Sequence, residues 1–150
     1  MSDDAVESAS VRLGDYALVE RLGQGAMGEV WRGLHAVHGF PVAVKLATGV
    51  HENPNALSSF HREVRTAGRL IHPNIARLFD QGVVTEQESS SSAFEAGVPY
   101  MVMEYIGGTR LSKLCGRLSF GEVKTILLQV LDALAYAHGT GVIHRDIKHS

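Results

Sequence analysis

Two spacings of apolar residues divide the chain. Between Tyr16 and Ala47 they come in short runs and alternations suited to a pleated strand; from Leu57 to Leu70, and again from Phe120 to His138, they recur every three or four residues. The first pattern predicts strands at Tyr16 to Leu22, Glu29 to His35 and Val42 to Ala47, the last two separated by the turn His38-Gly39-Phe40-Pro41. Strands joined by such short turns make an antiparallel meander. In the first helical stretch Phe60, Val64, Ala67 and Ile71 share one face, after the breaker Asn53-Pro54-Asn55, and His72-Pro73-Asn74 ends the helix because proline restricts the residue before it. Ile75 to Phe79 and Val98 to Ile106 predict a fourth and a fifth strand. A helical turn is expected at Leu111 to Leu114. Ser119-Phe120-Gly121-Glu122 then reads as a capping box opening a helix, with Val123, Ile126, Leu127, Val130, Leu131 and Leu134 as a wide apolar stripe and Gly139 and Gly141 at its close. The stretch Thr85 to Gly97, with Ser89 to Ser92 and three glutamates, has too little apolar surface to order itself and predicts a flexible loop between neighbouring strands. Residues 1–14 are expected to be a flexible arm. The fold class is α+β, with the strands first and the larger helix last.

Composition narrows the function classes. At 150 residues, with 45% hydrophobic and 20% charged residues, the chain has the make-up of one globular domain. A formal net charge of −2 and scattered Arg and Lys residues argue against a nucleic-acid partner. The single cysteine, Cys115, rules out an intrachain disulfide framework, fits a reducing compartment and is expected to be a small buried hydrophobe. No signal peptide or membrane-length apolar run is visible, so membrane association is not legible and a cytoplasmic location is expected. Eight histidines without H-E-x-x-H spacing give no metal site.

The chemistry starts at Leu22-Gly23-Gln24-Gly25-Ala26-Met27-Gly28-Glu29-Val30, where three glycines stand at G-x-G-x-x-G spacing. Without Cβ the backbone can lie close to a ligand, and its amides can face phosphate oxygens. The same spacing serves dinucleotide sites, which need a helix after the third glycine. Here Glu29-Val30-Trp31-Arg32 continues as a strand, which makes a flap over phosphates or an ordinary glycine-rich hairpin. Lys45 ends an apolar strand, where a cation is costly unless it meets an anion, and Glu63 on the next helix is the candidate partner; a solvated edge lysine is the alternative. In His144-Arg145-Asp146-Ile147-Lys148, Asp146 can orient a hydroxyl and accept its proton, and Lys148 can steady a transferred phosphate. Exposed, the same residues would be a loop ion pair of little consequence.

In this order the motifs resemble those of the bacterial eukaryotic-like serine/threonine protein kinases. Gly23 to Val30 is similar to the glycine loop, Val42-Ala43-Val44-Lys45 to the strand-three motif, and Phe60-His61-Arg62-Glu63 to the start of the αC segment. His72-Pro73-Asn74-Ile75 follows, then Tyr100 to Ile106 resembles strand five and the hinge, and His144 to Lys148 the catalytic loop. The resemblance covers Tyr16 to Ser150. It implies a small lobe over residues 15–106, made of a five-stranded antiparallel sheet plus αC, with a hinge at 104–107 and the first helices of a truncated large lobe over 108–150. It implies ATP and Mg²⁺ as cofactors and a Ser/Thr-bearing protein as substrate. Leu22, Val30 and Ala43 would sandwich the adenine, Met103 would back the pocket, and the Glu104 carbonyl and Ile106 amide would bond the adenine edge. Gly23, Gln24, Gly25, Ala26, Met27, Gly28 and Glu29 would form the phosphate loop. Lys45, oriented by Glu63, would touch the phosphates, with Asp146 as base and Lys148 beside the transferred group. Arg145 implies control through a phosphorylated activation loop. His149 departs from the family's usual proline. The family's next asparagine, D-F-G and A-P-E would all lie beyond Ser150, so the chain alone is expected to transfer little or no phosphate, either binding nucleotide or a kinase without catalysis or representing an interrupted reading frame.

Overall fold

The computed structural model describes residues 11–25, 28–50 and 54–143. The chain divides into two compact units, Met1–Val64 with Leu78–Tyr105, and Arg65–Arg77 with Ile106–Ser150.

The first unit is a six-stranded sheet of β1 (Arg12–Leu13), β2 (Tyr16–Gly25), β3 (Gly28–His35), β4 (Pro41–Leu46), β5 (Leu78–Val83) and β6 (Pro99–Glu104), in the order β1-β2-β3-β4-β6-β5. Every neighbouring pair is antiparallel. Alternation along the strands gives the sheet two unlike faces. Val42, Val44 and Leu46 of β4 face a core with Leu13, Leu18, Tyr100 and Val102. Ala43 and Lys45 point the other way and pair across the ladder with Met103 and Met101. On that second face Phe60 and Val64 of α1 (Pro54–Ala67) pack with Met101 and Ala47. Burying side chains of this size stabilises by about 1.5–3 kcal/mol each.

Several expectations are corrected. The sheet has six strands rather than five because Arg12 and Leu13 pair with Ala17 and Tyr16, and Leu13 is wholly buried. Residues 11–14 therefore belong to the fold and not to an arm. The fourth meander strand lies at Leu78–Val83 instead of Ile75 to Phe79, since the Ile75 amide donates to the His72 carbonyl and closes a turn first. Its Phe79-Asp80-Gln81 centre is exposed, as a sheet edge permits. Helix α1 begins at Pro54, where a missing N–H costs nothing in a first turn, and ends at Ala67, before Gly68.

The stretch Thr85 to Gly97 is anchored rather than loose. It holds α2 (Glu86–Ser90), capped by Thr85 and Glu88 in a reciprocal box. Glu88 Oε1 also accepts the Gly14 amide at 2.6 Å, and Phe94 and Val98 are buried in the core. Burial opposes ionisation of Glu88, but the Thr85 amide, Gly14 amide and Thr85 hydroxyl hold its carboxyl below the ordinary value.

The second unit contains a tight turn of 3₁₀ helix at Leu111–Leu114 and α3 (Phe120–Gly139) with the predicted Ser119/Glu122 capping box. The His72-Pro73-Asn74 segment is clasped to α3: His72 Nε2 lies 3.1 Å from Asp132 Oδ2, the Ile71 amide donates to the Tyr136 hydroxyl, and Asn74 Nδ2 donates to the Gln129 carbonyl. The apolar stripe of α3 is largely in water, with Leu127, Leu128 and Leu131 more than half exposed, although Ile126 and Leu134 are half-buried. Cys115 is exposed and not buried, because it follows the short turn at the surface. Among the described residues no helix is long and apolar enough to cross a membrane.

Candidate functional site

The glycine stretch forms the tip of the β2–β3 hairpin, with Gly25 paired to Gly28 and Gly23 to Val30. Strand, and not helix, follows Gly28, so the arrangement a dinucleotide site requires is missing here. The glycines differ in what they do. Gly28 has φ +124°, and a Cβ on it would lie 1.9 Å from the Leu46 carbonyl oxygen, so the fold itself demands glycine. At Gly23 and Gly25 a Cβ would meet nothing within 4 Å. Nothing in the fold requires glycine at these two positions; a ligand laid against the backbone would.

Register carries the glycine hairpin to Lys45, because Val30 pairs with both Gly23 on β2 and Lys45 on β4. Lys45 Nζ reaches both Glu63 oxygens at 2.7 Å. The helix supplies this partner because Phe60 and Val64, on either side of Glu63, are buried against the sheet. The lysine side chain is 19% exposed and that of the glutamate 40%, so one flank of the pair stays open to a further anion. Lys45 is thus a paired cation on the functional face, and the solvated edge lysine is excluded.

Val30 and Ala43 lie on the same sheet face as Lys45, with Met103 directly opposite Ala43. Leu22 is exposed at an irregularity between Arg21 and Gly23. Gln24 and Glu29 take part in the loop by backbone alone, because their side chains are on the opposite face, bonded to Arg21 and Trp31. Glu104 ends β6. Ile106 falls in the second unit and is exposed. Ala26, Met27, Arg145, Asp146 and Lys148 lie outside the described residues. Met101 was missed by sequence reasoning: it is wholly buried on β6 directly opposite Lys45, and the strand period of two, which puts it on the same face as Met103, could have placed it there. Among the described residues no group of His, Cys, Asp or Glu converges to hold a metal ion.

The family model described as Protein kinase domain matches residues 16–150. The chain belongs to the protein kinase family. The six-stranded sheet with α1 is that family's small lobe. The chain is similar to the serine/threonine-protein kinase Pkn1 of Myxococcus xanthus, with 39% identity over 92% of this chain and 19% of that protein. It is 37% identical to the serine/threonine-protein kinase PknA of Mycobacterium tuberculosis, over 90% of this chain and 31% of that protein. The crystal structure of the M. tuberculosis PknI kinase domain superposes with a TM-score of 0.69 at 29% identity, covering 96% of this chain and 55% of that one. The chain therefore spans between about a fifth and a third of these two curated relatives.

Proposed function

We propose that this chain is the nucleotide-gripping part of an ATP-dependent serine/threonine protein kinase. The observation that carries the reading is the Lys45 ammonium held by both Glu63 oxygens at 2.7 Å, on the sheet face shared with Val30 of the glycine hairpin. A cation fixed by a carboxylate keeps its charge and direction, so it can meet the α- and β-phosphates without reorganising. Amides of Gly23, Gln24, Gly25, Gly28 and Glu29 face the remaining phosphate oxygens. Leu22, Val30 and Ala43 give the adenine aliphatic walls, and Met103 closes the back.

In transfer, a Ser or Thr hydroxyl oxygen of the protein substrate bonds to the γ-phosphorus as the bond to the β,γ-bridging oxygen breaks and ADP leaves. By the resemblance, Asp146 orients that hydroxyl and takes its proton, and Lys148 offsets charge on the moving phosphoryl group. Mg²⁺ would supply charge neutralisation on the phosphates when bound.

A second reading, nucleotide binding without transfer by the 150 residues alone, is favoured by the exposed Leu127, Leu128 and Leu131 of α3. One preparation separates the two. Titration with ATP, followed by incubation with γ-labelled ATP and a Ser/Thr-rich protein, should give binding in either case. Label in the protein supports transfer, its absence supports the module, and failure to bind ATP overturns both.

A further inference from the structure

Behind the glycine hairpin, on the face turned away from Lys45, lies a cluster of side chains that the nucleotide reading does not use. Glu29 Oε2 accepts the Trp31 indole N–H at 2.9 Å, and Glu29 Oε1 stands 3.8 Å from Arg21 Nη1. The same Arg21 nitrogen donates to Gln24 Oε1 at 3.3 Å. These residues are cross-strand partners, Arg21 opposite Trp31 and Gln24 opposite Glu29, and between the two pairs the β2–β3 ladder is broken by a register shift. A bulge of this kind leaves a strand locally unpaired and free to twist. The β2 side of the hairpin has no core to hold it either, being exposed from Val19 to Gly25. The carboxylate of Glu29, only 15% exposed, therefore bridges the interruption where the backbone does not.

The cluster is itself held from behind. Trp31 packs against the buried core, and Phe94 from the segment after α2 meets its ring edge-on at 5.9 Å and 86°. A cavity of about 420 Å³ opens beside it, lined by Arg21, Val11, Thr48 and Glu95.

Resting on the nucleotide reading above, we propose that Glu29 is a positioning residue for the phosphate-gripping flap. Its side chain touches no nucleotide. By joining Arg21 and Trp31 across the bulge it fixes the twist of the hairpin, and hence the direction of the amides at Gly23, Gly25 and Gly28. Misaimed donors weaken phosphate contacts and leave adenine contacts alone.

Amide hydrogen exchange by NMR on the full chain, without nucleotide, tests the clamp directly. In Glu29→Ala the hairpin amides of Gly23, Gly25 and Gly28 to Val30 should exchange roughly tenfold faster, as expected for losing a charge-assisted bond, while Val44 and Val102 keep their rates. Glu29→Gln, which still accepts the indole N–H, should fall between. Titration then shows whether the clamp positions: ATP affinity should drop in Glu29→Ala with adenosine affinity unchanged, and Glu29→Gln should recover part of it. Unchanged hairpin exchange, or a rise shared equally by Val44 and Val102, would overturn the clamp. Equal losses for ATP and adenosine would overturn the positioning role. A wild-type chain that binds neither ligand removes the nucleotide reading, whereas the exchange result still decides the clamp.

Discussion

One strand of six residues serves two faces that have almost nothing in common. On one side of β4, Val42, Val44 and Leu46 are wholly buried in an aliphatic and aromatic core. On the other, Ala43 and Lys45 stand half-open, and the lysine is held by a carboxylate from α1. A step of one residue along the strand moves a side chain from the closed core to the half-open face where Lys45 meets Glu63. The period of two makes this separation strict, since a slip of one residue would exchange the faces. Stability and chemistry should therefore respond separately to substitutions at adjacent positions.

The largest effect is expected on the closed face. Leu46→Ala removes a fully buried side chain and should cost about 2–5 kcal/mol in urea unfolding, the range for a cavity that only partly collapses. A cost under that for an exposed leucine would mean that the closed face is not the core. Next comes Gly28→Ala, which places a Cβ against the Leu46 carbonyl at positive φ; a loss of about 1–3 kcal/mol is expected from the strained backbone alone. Gly23→Ala and Gly25→Ala should leave the melting temperature where it is and weaken ATP binding instead. If all three glycines behaved alike, the distinction drawn between them would fail.

Smaller effects come from the anchors at the edge of the closed face. Glu88→Gln should cost about 0.5–2 kcal/mol at neutral pH by weakening the α2 cap and the Gly14 tie. Because the folded carboxyl titrates below its ordinary value of 4.5, its contribution is full above that pH and fades as acid takes it through the lower folded value. Acid unfolding of the variant should lack that component. Tyr16 shows the opposite sign. Burial, and then the neighbouring Asp80 that its hydroxyl bonds at 3.2 Å, push its pKa up to about 12 from 10.0. Its contribution is whole below pH 10.0 and lost as the pH rises to about 12, so Tyr16→Phe should flatten the alkaline limb of a stability–pH curve.

Much of the chemistry could be read from local spacing. The glycine triplet, the strand continuing past Gly28, the lysine ending an apolar strand and the glutamate between Phe60 and Val64 are short-range patterns, and the structure brings Lys45 and Glu63 together as those patterns suggested. What was hidden depends on contacts distant in sequence. Arg12-Leu13 is too short to show a period and becomes a strand only by pairing with β2. Leu78–Val83 carries polar residues because one side of an edge strand is solvated, so the apolar residues of Ile75 to Phe79 point to a strand that overlaps the observed one only at Leu78 and Phe79. The serine-rich segment looked unable to order itself, yet a Thr85/Glu88 box and one phenylalanine were enough, and both are visible in the sequence once composition is set aside. Glu29 reads in the sequence as part of its loop, and only the register shows its side chain on the face turned away from Lys45.

The most direct test of the open face is a calorimetric titration of ATP and of adenosine into the wild-type chain, Lys45→Met and Glu63→Gln. ATP affinity should fall roughly ten- to hundredfold in Lys45→Met and by less in Glu63→Gln, as expected for losing a charge-assisted phosphate contact, with adenosine affinity the same in all three. ATP binding as tight in Lys45→Met as in the wild-type chain would contradict a triphosphate held on that face.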